Sequence, residues 1–148
     1  METKAKILVV EDDRIIALEI KERLMDFNYD VVAMAKSGEQ AIEFVSTLHP
    51  ELIIMDIHIE GDMDGIETAK ILKQTNNIPL IYLTAYADDK TIERAKITEP
   101  YGYIVKPLDE RELRSAVEIA LYKHRTEKLL KDSEAKYRAI VDTVEGSL

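Results

Sequence analysis

Polar residues that can bind a metal ion or a phosphoryl group stand directly after four of five short apolar runs in the sequence. Carboxylates follow the first and third runs, a hydroxyl group follows the fourth, and an ammonium group follows the fifth. Their types predict a site for a divalent cation and a phosphoryl group if the fold brings the ends of the runs together. In chain order the residues are Glu11, Asp12, Asp13, Asp56, Thr84 and Lys106.

The chemistry of such a site follows from its charge. Carboxylates gathered at one place repel each other, and without a cation their protonation is favoured. Mg²⁺ relieves this repulsion, because it binds one or two protein carboxylates and leaves positions for water and phosphoryl oxygens. A carboxylate beside the metal can attack phosphorus and form an aspartyl phosphate. Lys106, Thr84 and backbone amides can then stabilise the charge on the transferred oxygens.

Each of these residues also has an ordinary structural interpretation. The acidic triplet Glu11–Asp13 can cap a helix, and Asp56 can be a simple loop acid. Thr84 can end a strand, and Lys106 can be a solvated loop residue. The functional interpretation is favoured because all four positions suit one reaction and each follows a different predicted strand.

The apolar runs indicate the elements that position these residues. Each run is continuous rather than alternating, as is typical of parallel strands covered on both faces, and helix-like apolar spacing separates them. This alternation predicts an α/β fold with a five-stranded parallel, doubly wound sheet. Ligands bind beyond the carboxyl ends of such strands. The predicted strands are Ile7–Val10, Val31–Ala35, Leu52–Met55, Leu80–Leu83 and Tyr103–Val105, and Ser37, Asp64 and Asp109 are the predicted helix starts.

The composition is that of an acidic globular domain. The chain has 148 residues, 46% of them hydrophobic and 33% charged, and its formal net charge is −9. Residues 1–108 hold 20 acidic and 12 basic side chains, which argues against nucleic-acid binding. The absence of cysteine excludes disulfides, thiolate metal sites and cysteine nucleophiles, and no apolar run is long enough to span a membrane. A cytoplasmic location is expected.

The motifs resemble, in order and spacing, the receiver domain of two-component response regulators. The resemblance covers about residues 5–122 and implies a CheY-like fold with strand order 2-1-3-4-5. It also implies that the chain accepts a phosphoryl group from a histidine kinase or a phosphotransfer protein. The resembling segments are Ile7-Leu-Val-Val-Glu-Asp-Asp13, Leu52-Ile-Ile-Met-Asp56, Met63-Asp-Gly65, Leu83-Thr-Ala85 and Tyr101-Gly-Tyr-Ile-Val-Lys-Pro107.

The resemblance implies an acceptor and a set of metal ligands. Asp56 is the implied phosphoacceptor, and Glu11 and Asp12 are implied to bind Mg²⁺ together with it. His58, two residues after the acceptor, is implied to offer its backbone carbonyl to the metal. The loop that follows departs from the family pattern, because it lacks proline and Asp64 comes eight residues after Asp56 rather than seven.

The resemblance also implies a switch. Lys106 and Thr84 are implied to contact the phosphoryl group, and Tyr103 falls on the family's switch aromatic, coupled to Thr84. A cis peptide bond before Pro107 is implied as well, since only X-Pro bonds readily adopt this isomer. Because such domains promote only their own phosphorylation and dephosphorylation, the chain is not expected to be an enzyme that turns over a metabolite.

The C-terminal part has a different pattern. Residues 1–122 are predicted to form the receiver domain, and residues 123–148 a helical linker with the start of a PAS domain. The segment Lys136–Thr143 resembles the entry helix of such a sensory domain, and apolar residues return at roughly heptad spacing. A homodimer through the last helices is one arrangement that this spacing allows. His124 is expected to be a solvent-exposed helix residue.

Two other functions stay open at this point. A Mg²⁺-dependent phosphohydrolase could use Asp56 as its covalent nucleophile, although such enzymes usually have a second acid where this chain has His58. A flavodoxin-like cofactor-binding module could share the strand order. It would need a phosphate-binding loop after the first strand, where this chain has three acids.

Overall fold

The computed structural model describes residues 3–85 and 88–146, with side chains up to residue 142. Strands and helices alternate strictly. The first and last residues of each strand lie within about one residue of the predicted positions. The elements are β1 (Lys6–Val10), α1 (Arg14–Asp26), β2 (Asp30–Ala35), α2 (Gly38–Leu48), β3 (Leu52–Asp56), α3 (Gly65–Thr75), β4 (Leu80–Thr84), α4 (Asp89–Lys96), β5 (Gly102–Val105) and α5 (Glu110–Gly146).

All five strands are parallel and lie in the order β2-β1-β3-β4-β5. The predicted α/β fold and strand order are therefore confirmed. Residues of β2 and β5 pack into both apolar cores, as expected for strands covered on both faces, but they are less buried than those of the three central strands. These two strands form the edges of the sheet, so each has a neighbouring strand on one side only.

The sheet separates two apolar cores, because successive residues of a strand point to opposite faces. On one face, Ile7 and Val9 of β1 pack with buried residues of α1 and α5. On the other face, Leu8 and Val10 pack with buried residues of α2, α3 and α4. Each fully buried aliphatic side chain contributes about 1.5–3 kcal/mol to folding, and this packing holds the strand ends in fixed positions.

Helix starts follow the predicted capping residues. The Ser37 side chain accepts a hydrogen bond from the Gln40 backbone at 3.3 Å, and Asp109 accepts one from Glu112 at 3.0 Å. Asp64 forms a full capping box with Glu67 at the start of α3. These side chains satisfy backbone N–H groups that have no partner inside the helix.

Helix α5 continues without a break beyond the sheet. Its first part packs on the sheet, and further along the Tyr101 hydroxyl donates a hydrogen bond to Glu127. The Tyr101 ring also meets the edge of His124 at 6.2 Å between centroids. The expectation of an exposed His124 is wrong, since this contact half-buries it, and burial lowers the pKa of its imidazole. None of the described helices is long and apolar enough to cross a membrane.

Candidate functional site

The carboxyl ends of the four strands β1, β3, β4 and β5 lie side by side, since all strands of the sheet are parallel. Val10 pairs with Met55, so the residues that follow them, Glu11 and Asp56, are neighbours. At the other end of the site, Thr84 ends β4 and its backbone oxygen accepts a hydrogen bond from the Lys106 backbone at 2.8 Å. The sheet register therefore brings together residues separated by up to 95 positions in the chain.

Three carboxylates form the centre of the site. Oxygen atoms of Glu11, Asp12 and Asp56 lie within 4.8 Å of one another. Glu11 is 2% exposed and Asp56 is 3% exposed, whereas Asp12 is half-buried. The third acid of the triplet has a different role: the Asp13 side chain accepts hydrogen bonds from the first backbone N–H groups of α1. The triplet thus divides between the site and the helix cap.

The Lys106 ammonium lies between two of these carboxylates. Its Nζ is 2.7 Å from Glu11 Oε1 and 2.8 Å from Asp56 Oδ2. Burial opposes protonation of Lys106, but the hydrogen bonds to Asp56 and Glu11 outweigh it and raise the pKa of the ammonium. One cation facing three carboxylates leaves two negative charges uncompensated when all of them are ionised.

The excess negative charge has its clearest effect on the pKa of Glu11. Burial and the adjacent Asp56 raise the pKa of Glu11 from 4.5 to about 8, although Lys106 acts in the opposite direction. Its Oε2 atom is buried and has no hydrogen-bond partner among the residues that the structure describes. A buried oxygen without a partner is costly unless a cation or a proton satisfies it. The donor set, made only of carboxylate oxygens, fits Mg²⁺.

The loop after Asp56 contacts the carboxylate of this residue. The His58 backbone N–H donates a hydrogen bond to Asp56 Oδ1 at 3.1 Å. The longer loop is accommodated by a short parallel bridge between Ser37 and Glu60, followed by Gly61 at a φ of +107°. This positive φ strains residues other than glycine. The role of the His58 carbonyl as a metal ligand stays a prediction.

Gly65 packs against the backbone of Asp56 and is a position that the sequence indicated only through its Asp-Gly motif. A Cβ atom at Gly65 would lie 2.2 Å from the Asp56 carbonyl oxygen and 2.9 Å from Ile57 Cα. Gly65→Ala is therefore expected to lower the free energy of unfolding by about 3 kcal/mol, as overpacking against backbone does. Urea denaturation measures it. Gly102→Ala is the matched control, since a Cβ there has nothing within 4 Å, and equal losses in both variants would contradict the contact.

The residues predicted to form the switch lie on the neighbouring strands. Thr84 is fully buried, and Tyr103 is half-buried with its ring stacked on that of Tyr82 at 6.1 Å and 28°. Tyr82, which the sequence did not single out, is fully buried and hydrogen-bonds Thr98 Oγ1 at 2.6 Å. Burial raises the pKa of Tyr82 to about 12. Tyr103 therefore rests against a fixed aromatic ring that is tied to the segment after α4.

An ion pair between α4 and the start of α3 was also not anticipated. Arg94 Nη2 lies 2.8 Å from Asp64 Oδ2. Burial opposes ionisation of Asp64, but the Glu67 backbone N–H and the Arg94 guanidinium outweigh it and lower the pKa of this carboxyl. The two residues are 30 positions apart, and no local spacing signals such a contact. The pair connects α4 to the loop that follows β3.

The chain is similar to known proteins over most of its length. A family model described as "Response regulator receiver domain" matches residues 7–118. The transcriptional regulatory protein PdtaR of Mycobacterium tuberculosis is 31% identical over 120 residues, which are 81% of this chain and 58% of the relative. The chain thus spans only about half the length of such curated relatives.

Two solved structures extend the comparison. The signal receiver domain of a modulated diguanylate cyclase from Desulfovibrio desulfuricans superposes with a TM-score of 0.80 at 34% identity, covering 84% of this chain and 99% of that one. The N-terminal domain of a response regulator/sensory box/GGDEF three-domain protein from Carboxydothermus hydrogenoformans gives 0.76 at 36% identity, covering 82% and 98%. With the five-stranded fold and the acidic site at its strand ends, these similarities show that the chain belongs to the response regulator receiver domain family.

Proposed function

We propose that the chain accepts one phosphoryl group on Asp56, with Mg²⁺ bound by Glu11, Asp12 and Asp56, and that this modification switches its conformation. The observation that carries the proposal is the position of Asp56. Its carboxylate is buried at the end of β3, faces Lys106 at 2.8 Å and lies within 4.8 Å of the oxygens of Glu11 and Asp12.

The reaction is a transfer between two protein groups. An Asp56 carboxylate oxygen attacks phosphorus, a new O–P bond forms, and the bond from phosphorus to the donor nitrogen or oxygen breaks with the electron pair leaving on the donor. Lys106 already donates to Asp56, so its ammonium stands where it can stabilise charge on the transferred oxygens. The bound metal supplies charge neutralisation for the acidic site and the phosphoryl group.

The enzyme and cofactor-binding alternatives have less support. Receiver domains are generally signalling modules rather than enzymes. In a phosphohydrolase the group two residues after the nucleophile acts as acid or base; here it is His58, with an exposed side chain. A bound flavin phosphate would face Glu11 and Asp12 at the end of β1, where charge repels it. We infer that the chain promotes only its own phosphorylation and dephosphorylation.

Partners of receiver domains are histidine kinases or phosphotransfer proteins, and a surface beside Lys106 suits such a donor. A cavity of about 200 Å³ lies between α1 and the segment after β5. Its lining is mainly apolar, so it can take a side chain from a donor helix next to Asp56. The lining includes Ile16, Ile20, Leu83, Lys106, Pro107 and Leu108. The acidic surface argues against nucleic acid and membrane partners for this part of the protein, and we infer a cytoplasmic location.

The switch is proposed to run from Asp56 through Thr84 and Tyr103 to α5. Phosphorylation adds negative charge beside Thr84 and Lys106, and a state with different contacts then becomes favoured. Movement of Tyr103 changes its contact with Tyr82 and the surface around β5.

We further infer a receiver domain at residues 1–122 and a helical linker with the start of a PAS domain at residues 123–148. The sensory box named for the Carboxydothermus protein supports this arrangement.

The proposed chemistry is tested by incubating the full chain with acetyl phosphate and Mg²⁺. We expect a mass increase of one phosphoryl group, located by peptide mass spectrometry on the peptide that contains Asp56, and removal of the label by hydroxylamine as for an acyl phosphate. Chelation of the metal with EDTA is the control and should reduce the label to background. A stable label on another residue, or equal labelling in EDTA, would contradict the proposal.

A further inference from the structure

From Ile119 onward, helix α5 exposes a row of mostly apolar side chains on one side. Helix α5 has 37 residues, so it is about 55 Å long at 1.5 Å per residue. Six large apolar residues on it are between 50% and 72% exposed. A contiguous exposed apolar surface of this kind marks an interaction site. With two small polar residues between them, they form the α5 stripe: Ile119, Tyr122, Thr126, Leu129, Leu130, Ser133, Tyr137 and Ile140.

The stripe occupies one side of the helix. At 3.6 residues per turn, its eight members fall within an arc of about 100°. The residues that bury α5 against the sheet, Leu113, Val117, Ala120 and Leu121, lie on the opposite side. The stripe therefore faces away from the sheet and is open to a second helix, and only Leu130, at its border, also lines the cavity between α5 and the segment before β5.

We propose that a second copy of this chain covers the α5 stripe with its own α5, in parallel and in register, as a two-stranded coiled coil from Ile119 to Ile140. The α5 stripe would then be the interface of the homodimer that the sequence allowed. Ile119, Thr126, Ser133 and Ile140 repeat every seven residues. Tyr122 and Leu129 take the intervening position in the first two repeats, and Lys136, next to Tyr137, takes it in the third. A row with a mean period of 3.5 residues is self-complementary between two such helices, and the apolar residues at its two ends and at Leu129 supply its contact area.

The area of the stripe agrees with a dimer. Covering an exposed apolar side chain of this size removes about 100 Å² from water, so two stripes bury roughly 1,200 Å². This is the lower end of the range for specific interfaces. Thr126 and Ser133 add little apolar area, so the association is expected to be weak and reversible. A larger partner surface is not needed to account for the stripe.

Charges beside the stripe favour the parallel arrangement. Glu118 flanks the stripe on one side and Lys123 flanks it on the other, five residues further along. In parallel, in-register coiled coils, residues with this separation face each other across the interface and form ion pairs. Glu118 is 55% exposed while it accepts a hydrogen bond from Arg114, so it has a free side for the Lys123 of a second copy. The two symmetric pairs align the helices.

The first test measures mass in solution by sedimentation equilibrium on the full chain at about 10–300 µM, without a phosphodonor. We expect the mass to rise from 16.9 kDa toward twice that value. Leu129→Asp should remain monomeric over the same range. Ala135→Asp carries the same added charge on the opposite, exposed side of α5, and it should associate like the wild type. A monomeric wild type, a mass of three chains, or equal behaviour of the two variants would overturn the proposal.

The second test measures orientation, and it is simple because the chain has no cysteine. Leu129→Cys should form a disulfide dimer rapidly under mild oxidation, because parallel, in-register helices bring the two copies of position 129 together. Lys131→Cys, on the side away from the stripe, should cross-link at least tenfold more slowly. Equal rates would exclude the parallel register. The proposal does not rest on phosphorylation of Asp56, so its failure would leave the proposed phosphoacceptor function intact.

Discussion

Replacing Asp56 by asparagine is expected to abolish labelling by acetyl phosphate, with a loss of more than about 10³-fold in rate, as for removal of other covalent nucleophiles. The amide keeps the shape of the side chain but has no anionic oxygen to attack phosphorus. It also cannot form the ion pair that the carboxylate makes with Lys106 at 2.8 Å. Intact-mass spectrometry over a time course in Mg²⁺ measures the rate.

Asp13→Asn is the matched control for this prediction. Asp13 follows the acidic pair Glu11–Asp12 directly, but its side chain accepts hydrogen bonds at the start of α1. Asparagine is as good a helix cap as aspartate, so both the fold and the labelling should be preserved. Undiminished labelling of the Asp56 variant, or equal loss in both variants, would show that the phosphoryl group is accepted elsewhere.

Much of the fold could be predicted because strands and helices have different apolar periods. The same patterns could not show that β2 and β5 are edge strands, since an apolar run looks alike wherever the strand lies in the sheet. The order of the strands depends on packing across the whole sheet, and it came from the resemblance to the receiver family rather than from the runs themselves.

The site was predictable to the extent that it follows the strand ends. The rule that ligands bind at the carboxyl edge of a parallel sheet placed Glu11, Asp56 and Lys106 at one edge, and their contacts at 2.7 and 2.8 Å agree with it. The rule could not show that Asp13 has a different role from Glu11 and Asp12, because only the hydrogen bonds at the start of α1 show that Asp13 is a helix cap.

The contacts that α4 and α5 make with the rest of the fold could not be predicted, for a geometric reason. Arg94 meets Asp64, and Tyr101 meets His124 and Glu127, through the positions of α4 and α5 around the sheet. Those positions depend on side-chain packing and helix rotation, which local spacing does not encode. His124 therefore has the spacing of an exposed residue but is half-buried in the structure.

Without a bound metal, Glu11 is expected to make the free energy of unfolding depend on pH. In the folded chain without metal, burial and the adjacent Asp56 raise the pKa of Glu11 to about 8 from 4.5. Between these two values the folded state holds a proton that the unfolded state has released. The free energy of unfolding should therefore fall as pH rises from about 4.5 to about 8, by at most about 1.4 kcal/mol per unit, and level off above this window.

Mg²⁺ requires the deprotonated carboxylate, so its stabilisation should grow over the same window as pH rises. At a concentration about 100-fold above the dissociation constant, binding to the native state alone contributes about 2.7 kcal/mol. For a chain of this size that corresponds to a rise in Tm of roughly 6–10 °C. Thermal unfolding at pH 5 and pH 8, with and without Mg²⁺, measures both effects.

Two variants separate Glu11 from the other carboxyl groups. Glu11→Gln should flatten the fall of stability with pH, because the amide does not titrate, and should also reduce the Mg²⁺ shift by removing a ligand. Glu22→Gln, at an exposed position of α1, should leave both effects as in the wild type. A wild-type Tm that Mg²⁺ does not change at pH 8, or a Glu11→Gln variant that keeps both effects, would mean that the orphaned Glu11 oxygen is satisfied by something other than a bound cation.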